Sequence, residues 1–241
     1  IYACVEHEFT IATEKESGAN PIDFLETPDH IVDLKKQCDY VVVLYHGGKE
    51  QYRYPSPDLQ KICRKLVEKG ADLVVCQHSH CIGCKEEYLH GTIVYGQGNF
   101  LFDDEENEYW QTSLMIMISD DFEVKYIPLK KNKNTVRIAK ENEAEDILEQ
   151  FSIRSKEITN PEKVCQHYDD LAENYKNFYL LNIMRVKRGL AYRVINKLIK
   201  GRLEKSIINS AYNSTYKNVL RNYVECETHR ELLLRSLKKR T

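Results

Sequence analysis

The sequence predicts an α/β domain followed by an α-helical C-terminal region, and three observations predict it. Two continuous apolar runs, residues 40–45 (YVVVLY) and 71–76 (ADLVVC), flank a stretch with helical spacing of its apolar residues, the signature of parallel strands buried on both faces. From about residue 141 this pattern gives way to long segments of helical period. The charge changes too: residues 151–241 carry 19 Lys and Arg against 9 Asp and Glu, whereas residues 1–150 carry 16 against 28. An acidic domain over residues 1–140 and a basic helical extension over 141–241 are expected.

Residues 1–9 read as a strand and a loop. Residues 29–37 (DHIVDLKKQ) place Ile31 and Leu34 on one helical side, with Asp29 positioned to cap the start. After the strand at 40–45, the string DLQKICRKLVEKG sets Leu59, Ile62, Cys63, Leu66 and Val67 at helical spacing, and Gly70 supplies the stop. With the strand at 71–76 this is a βαβ unit, which crosses over right-handed and pairs its strands in parallel. Further strands are expected at 92–96, 113–118 and 123–128, the last two joined by a Ser-Asp-Asp-Phe turn. Helical segments follow at 147–158, from Pro161 into the 180s, at 190–200 and over 202–240, punctuated by Asn160-Pro161 and Gly201.

No stretch approaches the roughly 20 apolar residues that cross a bilayer, so no membrane span is expected. The eight cysteines are too sparse for a small disulfide scaffold. Reduced thiols and a cytoplasmic location are the expectation.

His46 follows the first buried run, His78 the second, and His80 lies two residues beyond. In open α/β sheets ligands bind beyond the carboxyl ends of parallel strands, so the topology delivers three imidazoles to one edge. Neutral imidazole ligates zinc, iron and manganese. A competing arrangement overlaps it: HSHCIGC holds His78, His80, Cys81 and Cys84, the donor types of a structural zinc site. Seven residues hardly wrap four ligands around a tetrahedral ion, so the two cysteines are expected to be packing residues.

Three strings, VVVLYHGGKEQYRYPSPDLQ, GADLVVCQHSH and EEYLHGTIVYGQGNFLFD, resemble in order and spacing the C-terminal motifs of the CapA family of poly-γ-glutamate capsule synthesis proteins, within the calcineurin-like metallophosphatases. The resemblance runs from about residue 1 to about residue 103. It implies a partial metallophosphatase-like sandwich in which His46, His78 and His80 bind metal, with manganese, iron, zinc or magnesium as cofactors. His80 and Glu50 would carry catalysis, while Glu86, Asn99 and Gln77 would contact substrate or support the ligands. Gln77 departs from the family pattern, which has Gly before the His pair.

The family's earlier motifs have no match: the chain contains no Asp-x-His, no Gly-Asp and no Asn-His. A piece lacking the N-terminal metal ligands is therefore expected, one that binds at most one ion weakly. The resemblance implies an anionic polymer or phosphoester as substrate. The alternative is a non-catalytic binding or scaffold protein of the same fold. The basic, Tyr-rich tail is expected to be an amphipathic helical bundle available for self-association or a partner, not a specific nucleic-acid binder.

Overall fold

The structure, a computed structural model, describes residues 1–7, 11–101, 106–184 and 189–238. The ends of the first strand-and-loop, of the third matched string and of the last helical segment lie outside the described residues. The chain divides into two compact units, residues 1–169 and 170 onward.

The first unit is built on a five-stranded sheet of order β1-β2-β3-β5-β4, comprising β1 (Tyr2–Val5), β2 (Val42–His46), β3 (Leu73–Cys76), β4 (Lys85–Tyr88) and β5 (Gly91–Tyr95). β1, β2, β3 and β5 run parallel and β4 pairs antiparallel with β5. Helices α1 (Thr27–Lys35) and α2 (Pro57–Glu68) supply two of the crossovers. α2 starts where Ser56 accepts the Leu59 N–H at 3.0 Å, with Pro57 at the first helical position. α1 begins two residues before the expected start and has no side-chain cap; Asp29 sits in its first turn instead, where the helix dipole favours negative charge.

Side chains alternate across the sheet. Val43, Tyr45, Val74, Cys76, Ile93 and Tyr95 face α1 and α2, packing on Ile31, Cys63, Leu66 and Val67. Leu73, Val75 and Val94 point the other way. Full burial of each such aliphatic side chain is worth about 1.5–3 kcal/mol, which explains why the two central strands are nearly all Val and Leu.

The second face is covered by an antiparallel sheet, β6 (Thr112–Ile118), β7 (Val124–Asn132) and β8 (Thr135–Ile138), and by α3 (Glu141–Glu157). Leu114, Ala139, Ile147 and Phe151 complete that core. A cavity of about 410 Å³ remains between the sheets, lined by Val42, Leu44, Gln77, Gln97, Phe100 and Met115 among others. The fold is thus mixed α/β with a parallel βαβ unit, as the resemblance implies. The first unit also holds the start of α4 (Pro161–Ile183), whose Val164 joins the α2-side core.

The second unit is helical: the rest of α4, α5 (Leu190–Leu198), α6 (Arg202–Ala211), α7 (Ser214–Glu225) and α8 (Glu227–Lys238). Leu181, Ile208 and Tyr212 form its small core, and the Tyr212 hydroxyl donates to the Leu180 carbonyl at 2.9 Å. No described helix is long and apolar enough to cross a membrane.

Candidate metal centre

The parallel register aligns the strand ends. Val5 pairs with His46 and Tyr45 with Cys76, so Glu6 after β1, His46 at the end of β2 and His78 after β3 emerge at one edge of the sheet. The three histidines meet there. His46 stacks on His78 with ring centroids 4.5 Å apart, and His80 meets His78 edge-on at 5.9 Å.

Glu50, His78 and His80 form a donor cluster whose ligand atoms all lie within 4.8 Å of one another, with His78 Nε2 3.6 Å from Glu50 Oε1. His46 flanks this trio through its ring stack without joining it. The loop carrying Glu50 is tied to the histidine loop by the Gln51 N–H, which donates to the Ser79 carbonyl at 2.7 Å.

The outer nitrogens of the two ligand candidates are both occupied. His78 Nδ1 bonds the Glu6 carboxylate and His80 Nδ1 lies 2.8 Å from Asn99 Oδ1. An ionised carboxylate and an amide oxygen only accept, so both contacts suit the tautomer with the proton on Nδ1, in which a neutral ring carries its lone pair on Nε2. Metal-binding histidines are held in this manner. Asn99 is nine-tenths buried, and its Nδ2 has no hydrogen-bond partner among the described residues. An unsatisfied buried donor costs about 1–3 kcal/mol, and a phosphoryl or carboxylate oxygen would satisfy this one. The residues therefore fit one divalent ion: two imidazole nitrogens and one carboxylate oxygen, of the donor types that zinc and manganese accept.

The geometry of His80 is bought with backbone strain. Its φ is +55°, the left-handed region that costs a non-glycine residue about 1–3 kcal/mol and persists only where surroundings over-determine it. Those surroundings are visible. Arg53 and Arg154 both donate to the Ile82 carbonyl, at 3.0 and 3.4 Å, and Arg154 Nε donates to the Gly83 carbonyl at 2.7 Å. A Cβ on Gly83 would lie 1.8 Å from the Tyr95 carbonyl oxygen, so only glycine passes there. Gly96 adopts φ +113° opposite the same loop, and its carbonyl accepts the Gly83 N–H at 3.0 Å.

Cys81 and Cys84 are fully buried, and burial pushes both thiols above their ordinary pKa. They pack as core residues, and the donor cluster among the described residues contains neither. Glu86 is engaged on the α2 side of the sheet: its carboxylate accepts from Arg64 Nε at 2.9 Å, the Tyr95 hydroxyl at 2.8 Å and Gln60 Nε2 at 3.3 Å. Gln77 lines the cavity between the sheets. The structure thus brings His46, His78, His80, Glu50 and Asn99 together, and places Glu86 in a separate ion network.

Two contributors were not anticipated. Glu6 follows a parallel strand, so the strand-end rule that finds His46 and His78 also finds Glu6 once β1 is counted. Arg154 comes from α3, beyond the matched motifs, and no sequence signal connects it to residues 82 and 83.

Comparison with known proteins agrees on the segment that carries these donors. A family described as "Bacterial capsule synthesis protein PGA_cap" matches residues 5–104. "Capsule biosynthesis protein CapA" of Bacillus anthracis is 37% identical over 97 residues, covering 39% of this chain and 24% of that protein. "PGA biosynthesis protein CapA" of Bacillus subtilis (strain 168) is 37% identical over 73 residues, covering 30% of this chain and 19% of that protein. The chain spans about a quarter or less of the length of these relatives.

Proposed function

We propose, from the match of residues 5–104 to the bacterial capsule synthesis (PGA_cap) family and their similarity to CapA proteins, that this chain carries a divalent-metal site serving hydrolysis of a phosphoester in the making of an anionic surface polymer. The observation that carries the reading is the cluster of Glu50, His78 and His80, whose ligand atoms lie within 4.8 Å of one another, with the Nδ1 atoms of the two histidines held by Glu6 and Asn99. His78, His80 and Glu50 would hold the ion. When bound, a divalent ion supplies Lewis-acid polarisation of a phosphoryl oxygen and lowers the pKa of water. The Asn99 amide donates a hydrogen bond to a substrate oxygen, and His46 closes one side of the site by stacking on His78.

One observation favours the second reading, a binding or scaffold role without turnover. The donor cluster among the described residues offers a single carboxylate, whereas a two-metal hydrolase holds its ions about 3.5–4 Å apart, one activating the attacking oxygen and the other the leaving one. Titration calorimetry with Zn²⁺ and Mn²⁺, run beside hydrolysis of bis(p-nitrophenyl) phosphate, separates the cases. One ion per chain, lost in His78→Ala and His80→Ala, together with metal-dependent hydrolysis supports the enzyme. One ion without hydrolysis, or a folded chain that takes up none at millimolar metal, supports the binding or scaffold role and overturns the enzyme.

A further inference from the structure

Glu6 touches two of the elements that supply donors to the cluster. One carboxylate oxygen bonds His78 Nδ1, and the other accepts the Gly48 N–H at 3.4 Å, on the loop that leads to Glu50. His78 is well buried, its side chain 16% exposed, so the Glu6 carboxylate meets a ring largely withdrawn from water. Glu6 itself stands outside the donor trio. We infer that Glu6 is a positioning residue for the metal site: it fixes the His78 tautomer with the proton on Nδ1, raises the basicity of Nε2, and holds the Glu50 loop against the histidine loop.

The chemistry follows from the partner. Free imidazole favours the proton on Nε2, which would remove the lone pair the ion needs. A carboxylate at Nδ1 reverses that preference, because it accepts the Nδ1 proton in a charge-assisted bond. Its negative charge also adds to that of Glu50 without occupying a coordination position. Loss of such an outer partner lowers metal affinity about 10- to 100-fold in sites of this kind.

This inference rests on the metal reading above, and one set of measurements separates them. The chain labelled with ¹⁵N-histidine reports the His78 tautomer by long-range ¹H–¹⁵N correlation, and chelator competition gives the Zn²⁺ dissociation constant. The unaltered chain is expected to show the His78 proton on Nδ1. Glu6→Ala is expected to shift it toward Nε2 and to weaken Zn²⁺ binding by 10- to 100-fold, with the metal-free melting temperature little changed. Glu6→Gln keeps an accepting oxygen and loses the charge, so the tautomer is retained and affinity falls several-fold; it carries the test if Glu6→Ala does not fold. If the unaltered chain binds no Zn²⁺, the metal reading fails and this one with it. If it binds and both variants hold Zn²⁺ within twofold, with the tautomer unmoved, Glu6 has no positioning role and the metal reading stands.

Discussion

Replacing Glu86 by Ala should cost about 3–4 kcal/mol of stability and leave ion binding untouched. The magnitude comes from what the carboxylate holds. Its side chain is 11% exposed and that of Arg64 is 31% exposed. Removing one partner of a buried pair costs about 3–5 kcal/mol; partial exposure of Arg64 discounts this to about 2. The Tyr95 hydroxyl, inside a side chain 2% exposed, also loses its acceptor, which adds about 1–3 kcal/mol. The two losses share one carboxylate and do not add fully. Against a typical total of about 5–15 kcal/mol the effect is large, and a domain of this size would melt about 10 °C lower. Urea denaturation followed by circular dichroism measures the first quantity and Zn²⁺ calorimetry the second. A loss below about 1 kcal/mol, or a tenfold drop in ion affinity at unchanged stability, would refute the assignment of Glu86 to the structural network.

Gly83→Ala drives a methyl into the Tyr95 carbonyl and within 3.0 Å of the Arg53 carbonyl oxygen, so a loss of about 3 kcal/mol is expected; Gly189→Ala, with open space around it, should stay within about 1 kcal/mol, and equal urea midpoints for the two variants would contradict the packing described. Glu143 accepts from Arg137, Lys130 and the Lys140 N–H, and these bonds, Arg137 first, hold its carboxyl well below the usual range. A depressed carboxylate stabilises the fold above its unfolded pKa of about 4.3 and loses that contribution as pH falls through the lower folded value. The melting-temperature gap between the unaltered chain and Glu143→Gln should therefore be widest near neutrality and shrink below about pH 4; a gap constant down to pH 2 is the contrary result.

The βαβ unit is legible because strands buried on both faces must be apolar, and residues 42–45 of β2 and all of β3 are. β4 (KEEY) and β8 (TVRI) escape notice, since edge strands with charged residues carry no core pattern. β7 runs on past Pro128 to Asn132, although proline offers no N–H to a ladder. At the site, the strand-end rule brings the three histidines together without any resemblance. It could not assign partners: Glu6 sits in the polar string Glu6-His7-Glu8 and looks like loop, while Glu86, two residues from Cys84, looks close to the site in sequence and points its carboxylate to Arg64. Side-chain direction on β4 depends on pairing register, Glu86 opposite Ile93, which the sequence does not declare.

On the metal reading proposed above, the parallel order of β1, β2 and β3 has a consequence for how the chain would acquire an ion. His78 and His80 are neighbours in any conformation, but Glu50 is 28 residues from His78 and Glu6 is 72 away. An unfolded chain presents a bare His-x-His, and the full coordination sphere exists only after strands distant along the chain have closed into register. Ion uptake and closure of the sheet would then be one equilibrium. Zn²⁺ at 100 times its dissociation constant would raise the apparent unfolding free energy by about 2.7 kcal/mol, and a chelator would withdraw the same amount.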